Sequence, residues 1–167
     1  RNIDEDLASG VADGLGLELP EPAKAAREPI TDLKVSDALS IIKNGPKDFK
    51  GRKLGILVGD GSDAELLKSL QEAMTEAGAL TVLVAPKVGG VTLSDGSHVA
   101  AGEKVDGGPS VLYDAVALVL SEEGAKTLAD MPPARDFVTD ALTHGKFIGL
   151  TGGADPLLKQ AGVTDKV

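Results

Sequence analysis

The chain of 167 residues contains no cysteine and no tryptophan, and its only aromatic residues are one tyrosine and three phenylalanines. The lack of cysteine excludes a disulfide scaffold, a thiolate metal site and a cysteine nucleophile. The scarcity of aromatic side chains argues against a surface on which nucleic-acid bases stack. The formal charge of −9 argues against binding to a phosphate backbone, which needs clustered Lys and Arg. We therefore expect no nucleic-acid partner.

Long apolar runs are also lacking. No run approaches the roughly 18 residues that indicate a membrane span, so we expect no membrane partner. The first residues are charged and lack the apolar stretch of a secretory signal. The chain begins with arginine, which favours an excised piece of a longer protein. An intracellular, cytoplasmic location is the default expectation, and the sequence leaves the localisation otherwise open.

Residues 1–35 differ in pattern from the rest of the chain. Apolar residues recur there at a spacing of four, which predicts a short amphipathic helix: Ile3, Leu7, Val11 and Leu15. Three prolines between residues 20 and 29 favour extended backbone after that helix. We interpret residues 1–35 as a short helix and a linker that leave an upstream domain, and residues 36–167 as a domain of their own.

Regular alternation of strands and helices is predicted from Ser36 onward. Short apolar runs predict four buried strands, at 53–58, 80–85, 115–120 and 147–150. Helical patterns predict a first helix over 37–43 capped by Ser36, a second that Ser62 caps and Gly78 ends, and further helices over 123–129, 134–144 and 155–161. An Asp-Gly turn between 91–93 and 98–100 predicts a small β-hairpin. The pattern is typical of an α/β fold with a doubly wound, mostly parallel sheet.

Ligands of such sheets bind beyond the carboxyl ends of the strands, where three loops meet: 59–63, 120–124 and 151–155. The Thr151-Gly152-Gly153 turn has two interpretations. Its backbone amides could hold an anion at a helix N-terminus, or glycine could simply permit a sharp turn. His98 and His144 lie far apart without the spacing of metal ligands, so a histidine metal site is not expected.

Several segments resemble a known family. RNIDEDLASGVADGLGL resembles the stretch that leaves the haem-containing core of large-subunit catalases, and GRKLGILVGDG through GGPSVLYDAVALVL resembles the C-terminal domain of those enzymes. The resemblance covers essentially the whole chain. That domain is similar to the PfpI, or class I glutamine-amidotransferase-like, superfamily. The resemblance implies a flavodoxin-like sheet with helices on both faces and a small hairpin insertion.

The resemblance also implies where a catalytic site would lie. Active members of that superfamily use a cysteine at a sharp turn after a strand, followed by histidine; the register of GKFIGLTGG places these positions at Thr151 and Gly152. The acidic partner falls at Ser62, and the glycine pair of the oxyanion site falls near Ser121-Glu122. All of these positions are substituted. Because threonine without a base is a poor nucleophile, we expect no amidase or protease activity.

The expected function follows from this resemblance. The parent catalase disproportionates hydrogen peroxide in a haem core, as a tetramer, and residues 1–167 carry none of the haem-site motifs. We expect neither a haem nor another cofactor in this chain, and we expect Tyr113 to be a core residue. The implied role is a non-catalytic accessory domain. Its partners would be the catalase core, neighbouring subunits and unfolded client proteins. The alternative is a small-molecule or nucleotide-binding domain that uses the Thr151 loop.

Overall fold

The computed structural model describes residues 1, 3–28, 30 and 32–164. Its contacts divide the chain into two compact units, Arg1–Gly45 and Pro46–Val167. The sequence pattern instead placed a boundary after residue 35. The interpretation of residues 1–35 as a linker from another domain stays a prediction. None of the helices in the described part of the chain is long and apolar enough to cross a membrane.

The first unit contains two short helices. Helix α1 (Glu5–Leu15) begins where Asp4 accepts a hydrogen bond from the Leu7 N–H at 2.7 Å, and it leaves its apolar stripe exposed. The predicted helix over 37–43 is wrong in detail. A single 3₁₀ turn (Asp37–Leu39) precedes α2 (Ile41–Asn44). The cap of α2 is Ser40, which accepts from the Lys43 N–H at 3.2 Å, and not Ser36.

The second unit is built on a five-stranded parallel sheet with the order β5-β2-β1-β6-β7. Its strands are β1 (Lys53–Val58), β2 (Leu80–Ala85), β5 (Glu103–Lys104), β6 (Ala115–Val119) and β7 (Phe147–Leu150). The hairpin strands β3 (Val91–Thr92) and β4 (His98–Val99) pair antiparallel. The helices are α3 (Ala64–Glu76), α4 (Glu122–Ala129), α5 (Pro132–Thr143) and α6 (Asp155–Ala161). The predicted α/β architecture and hairpin are confirmed.

Two predicted helix starts in this unit need correction. Helix α3 is capped by Asp63, which accepts from the Leu66 N–H at 2.8 Å, whereas Ser62 is buried beneath the loop. Helix α5 begins at Pro132 and not at Ala134. Proline suits the first turn of a helix, because the amide hydrogens there have no intrahelical acceptor. The Pro-Pro pair therefore starts α5 and does not separate it from α4.

The two faces of the sheet are covered unequally. Alternate strand residues point to opposite faces. The face that includes Leu57 and Leu118 packs against α4, α5 and α6, and Phe137 is the largest side chain fully buried there. The other face includes Ile56 and is covered by α3 through Leu67. At the β7 end of this second face, Phe147 is 83% exposed. The sheet therefore carries one buried cluster on each face, and its second face is left exposed at β7.

Tyr113 allows a direct test of the core. The side chain is buried, and within the described residues its hydroxyl has no hydrogen-bond partner. Burial, with a smaller contribution from the charge of Glu103, raises the pKa of the phenol. It is the chain's only tyrosine, and tryptophan is absent. An ultraviolet titration should therefore give a tyrosinate midpoint above the ordinary 10.0 in the folded chain and a return to that value in denaturant.

The raised pKa of Tyr113 also affects stability. The unfolded chain loses the phenolic proton first, so the free energy of unfolding should fall as the pH rises from about 10 towards the folded-state pKa. Tyr113→Phe should remove this part of the pH dependence. Identical midpoints in the folded and denatured chain would contradict the burial of this hydroxyl.

Candidate functional site

The three candidate loops lie together at the carboxyl edge of the sheet. They follow β1, β6 and β7, and the chain reverses direction across the sheet between β1 and β6. The crevice at such a reversal is the usual ligand site of open α/β sheets. The geometry of the side chains and glycines in these loops decides whether a crevice exists here.

Ser62 joins two of the loops from inside the protein. Its side chain is fully buried, and its hydroxyl oxygen accepts a hydrogen bond from the Gly59 N–H at 3.0 Å. The hydroxyl lies 2.7 Å from the Gly59 carbonyl and 2.6 Å from the Val119 carbonyl, either of which accepts its single proton. Both its donor and its acceptor capacity are used by main-chain groups. Ser62 therefore links the end of β1 to the end of β6 and offers nothing to a ligand.

Thr151 has the same role at the end of β7. Its hydroxyl oxygen accepts from the Leu120 N–H at 3.1 Å and lies 2.8 Å from the Leu120 carbonyl and 3.3 Å from the Leu118 carbonyl. None of these contacts is to a base that could take its proton. His98 instead contacts the Gly89 carbonyl at 2.7 Å, and His144 ends α5, before β7 begins. Thr151 thus binds β7 to β6 and is not an activated nucleophile.

Glycines bring the backbones of these loops into direct contact. A Cβ on Gly59 would lie 3.0 Å from the Gly124 Cα, and one on Gly153 would lie 2.2 Å from the Leu120 carbonyl oxygen. Ser121 completes the junction, since its hydroxyl donates to the Asp60 carbonyl at 2.6 Å and accepts from the Gly124 N–H at 3.0 Å. Main chain therefore fills the crevice between β1 and β6. Sequence reasoning missed Gly59, Gly124 and Gly153 as packing positions, although the presence of glycine in all three loops was a usable signal.

Gly152 is the exception at this edge. It opens the 3₁₀ turn Gly152–Ala154, and a Cβ there would meet no atom within 4 Å. The space beside Gly152 is therefore open, but Gly152 has no side chain that could bind a ligand there. Helix α6, which follows, has only seven residues. The anion-cradle interpretation of the Thr151-Gly152-Gly153 turn therefore gains no support from the geometry.

A cavity of about 260 Å³ opens at one side of this junction, where Gly59 and Gly124 line it together with the hairpin, the end of β2 and α4. Asp60, Lys87 and Glu123 contribute charged groups to its lining. Asp60 accepts from the Thr92 N–H at 2.8 Å, and Glu123 pairs with Lys126 at 2.8 Å. Small-molecule sites usually enclose about 300–1,000 Å³ and are mostly apolar. The charged groups in the lining distinguish this cavity from the mostly apolar sites that bind small molecules.

Among the described residues, the side chains that could bind a metal or a haem lie apart from one another. Across the described ranges, no three or more His, Asp or Glu side chains are placed to hold a metal ion. The Tyr113 hydroxyl is enclosed in the core, and a Cβ on Gly108 would lie only 3.0 Å from it. His98 and His144 lie in a hairpin strand and at a helix end. These residues do not fit a haem.

The role of Ser62 can be tested by removing its hydroxyl. Ser62→Ala should lower the free energy of unfolding by about 2 kcal/mol, because the Gly59 N–H and two carbonyls lose a buried partner. Ser97→Ala is the matched control, since the Ser97 hydroxyl is exposed and contacts only Asp95. Urea denaturation of both variants measures the difference. Equal losses would contradict the structural role of Ser62.

Comparison with known proteins identifies the family. Residues 50–166 match the model of the C-terminal domain found in long catalases. The chain belongs to this family. It is similar to Catalase C of Rhizobium meliloti, with 54% identity over 165 residues, which cover 98% of this chain and 23% of that protein. It is also similar to Catalase HPII of Mycobacterium avium, with 36% identity over 170 residues, which cover 99% of this chain and 23% of that protein. The chain thus spans about a quarter of the length of these catalases.

Solved structures confirm the fold of this catalase C-terminal domain. Oxidized DJ-1 of Toxoplasma gondii superposes with a TM-score of 0.59 at 20% identity, covering 70% of this chain and 64% of that one. A ThiJ/PfpI domain protein of Brachyspira murdochii gives 0.59 at 19% identity, covering 68% of this chain and 66% of that one. The predicted resemblance to large-subunit catalases and to the PfpI-type fold is confirmed. At these identities the solved structures show the fold alone.

Proposed function

We propose that this chain is a non-catalytic accessory part of a long, haem-dependent catalase. In this proposal the haem core disproportionates hydrogen peroxide to water and oxygen, and residues 1–35 connect that core to the domain. The domain contributes to the stability and assembly of a tetramer through contacts with the core and neighbouring subunits. The observation that supports this proposal is the closed carboxyl edge, where Ser62, Ser121 and Thr151 bind main-chain groups and glycine backbones fill the crevice.

The residues at the positions that the resemblance aligns with the catalytic groups of amidotransferases support the same proposal. The Thr151 hydroxyl is held by the main chain of Leu118 and Leu120, Gly152 has no side chain that could act as a base, and Ser62 is fully buried. Glu122 and Glu123 pair with Lys126 at 3.0 and 2.8 Å, where the superfamily's oxyanion site would lie. Two carboxylates there would repel a developing negative charge. A substrate carbonyl would therefore meet neither an activated nucleophile nor an oxyanion site.

The test is made on the full-length catalase. Enzyme truncated after residue 45 should keep its haem absorbance and its peroxide turnover per haem within about twofold, but should melt at a lower temperature or lose its native mass. Thr151→Val in the intact enzyme should leave the turnover unchanged. A large loss of turnover in Thr151→Val, with haem content and assembly intact, would contradict a non-catalytic domain.

A chaperone-like role is a second candidate, and the exposed stripe on α1 favours it. Ile3, Leu7, Val11 and Leu15 line an apolar groove of about 360 Å³. Such a surface can hold unfolded segments, and the charge of −9 would keep the complexes soluble. The chain should then slow the aggregation of a heated client protein, and Val11→Asp should weaken this protection. Equal protection by Val11→Asp, or none by either protein, would remove the candidate.

The nucleotide alternative makes a different prediction. A bound nucleotide would stabilise the folded chain by mass action and raise its melting temperature. With the Thr151 hydroxyl already occupied, we expect ATP, NAD and FMN to leave the melting temperature unchanged. A shift that grows with ligand concentration and disappears in Thr151→Val would favour the alternative.

A further inference from the structure

Strand β7 presents an open edge. It is the last strand of the sheet and pairs only with β6 among the described strands. The Thr151 N–H donates to the Leu118 carbonyl at 3.0 Å, so alternate residues Phe147 and Gly149 also direct their backbone groups towards β6. The backbone groups of Ile148 and Leu150 therefore point outward. An unprotected strand edge of this kind is a template for pairing with another strand.

The open edge lacks the usual protection. Strand β7 reads Phe-Ile-Gly-Leu, with no charge and no proline. Natural proteins commonly place lysine, proline or a bulge on an edge strand to prevent association. The absence of these features from β7 is compatible with a strand that pairs in the assembled protein.

A projecting side chain and an apolar hollow lie side by side on one face of β7. Phe147 is 83% exposed. Next to it, a hollow of about 300 Å³ opens over Gly149, where an added Cβ would contact only the Ala117 Cβ at 3.9 Å. The other lining residues of the hollow are apolar: Phe49, Leu54, Leu70, Met74, Ala115 and Val116. This patch therefore carries a projecting ring, Phe147, beside an apolar hollow over Gly149 that the ring of another chain would fill.

We propose that β7 pairs antiparallel with β7 of a second copy of this chain, about a two-fold axis at Gly149. Gly149 then faces Gly149 of the second copy, and Ile148 faces Leu150 of that copy. The outward backbone groups of Ile148 and Leu150 form four hydrogen bonds across the axis. Phe147 and Gly149 lie on the same face of β7. On that face, the Phe147 ring of each copy lies diagonal to Gly149 of the other copy and enters the hollow there. An aromatic ring placed over a cross-strand glycine is a favourable arrangement in sheets.

The patch favours a second copy over a different partner because it is self-complementary. A two-fold interface uses the same surface on both subunits, so a knob must lie beside its own hole. Each copy carries a charge of −9, but β7 itself is uncharged. This proposal does not depend on the accessory function.

The paired surface is small. Stable interfaces bury about 800 Å² per partner, more than a four-residue strand and one ring supply. We therefore expect weak association of the isolated chain. Sedimentation velocity over loading concentrations from about 1 µM to 1 mM should show a monomer–dimer equilibrium. A single monomeric species over this range would overturn the proposal.

Two matched variants locate the dimer surface. Phe147→Asp should weaken association at least tenfold, because a carboxylate replaces the ring in an apolar hollow. Val88→Asp is the control, since Val88 is 58% exposed and the charge change is identical. Val11→Asp tests the apolar stripe of α1 in the same way. Association unaffected by Phe147→Asp, or abolished by Val11→Asp alone, would overturn pairing through β7.

Cross-linking decides the register even if an acidic variant folds poorly. The chain has no cysteine, so a single introduced thiol reports on its own position. Gly149→Cys places two thiols in a non-hydrogen-bonded antiparallel pair, where the Cα separation of about 4.5 Å suits a disulfide. Its oxidation to a covalent dimer should be at least tenfold faster than that of Leu80→Cys, a comparably exposed strand position. Equal rates would contradict the two-fold axis at Gly149.

Discussion

Replacing Phe137 with alanine is expected to lower the free energy of unfolding by about 3–5 kcal/mol. Phe137 is 1% exposed in α5, where its ring lies 6.2 Å from the ring of Tyr113 between centroids. Truncation would remove the transfer free energy of the ring and leave a cavity that the surrounding strand and helix residues cannot collapse to fill. Urea denaturation at a fixed pH and low protein concentration measures the loss.

Phe147→Ala is the control for that prediction because it deletes the same ring from an exposed position. Phe147 is 83% exposed, so its truncation should change the free energy of unfolding by less than about 0.5 kcal/mol. The comparison separates burial from residue type. A loss in Phe137→Ala no larger than that in Phe147→Ala would show that α5 does not pack against the sheet as described.

Gly55→Val should lower the free energy of unfolding by about 3 kcal/mol. Gly55 lies in the middle of β1, and a Cβ there would approach the Tyr113 Cδ2 to 2.3 Å. The ring cannot move freely, since the side chain is buried against Phe137. Overpacking would therefore force displacement of the ring or of the backbone. Thermal or urea denaturation of Gly55→Val measures the loss.

Gly149→Ala, at a glycine in β7, is expected to have the opposite effect and to stabilise the chain. The space above Gly149 is open, so alanine should raise the free energy of unfolding by about 0.5–1 kcal/mol by restricting the unfolded backbone.

A double variant of Gly55→Val with Tyr113→Ala should lose less stability than the two single variants combined, because deleting the Tyr113 ring relieves the clash with the introduced valine. Strict additivity would contradict direct contact between these residues.

The closed junction at the carboxyl edge contains the positions that the resemblance aligns with the catalytic groups of the PfpI superfamily. The positions that carry the cysteine and its acidic partner in active relatives, as the resemblance aligns them, here hold Thr151 and Ser62. Both hydroxyls bind the main chain of β6 or its following loop. In the proposed accessory domain, both hydroxyls therefore stabilise the sheet.

The sequence by itself predicted the α/β class, four of the five parallel strands, the hairpin and the family. The family followed from the resemblance, whereas the structural features depend on local chemistry: apolar runs long enough to cross a buried sheet, glycine at turns and helical spacing of apolar residues. It did not predict β5, because Glu103 and Lys104 are charged and carry no apolar pattern. Their pairing with Val84 and Ala85 exists only because the preceding chain returns to the edge of β2.

The candidate site shows the same division. The sequence, through its resemblance to the superfamily, predicted that Thr151, Gly152 and Ser62 stand at the catalytic positions, and this placement stays a prediction. It assigned Ser62 to a helix cap, because a serine before a helix usually has that role. Only the tertiary structure decided that Asp63 caps α3, that Ser62 joins β1 to β6, and that glycine backbones close the crevice. Those contacts join residues far apart in the chain, and local sequence pattern carries no information about which distant groups will meet.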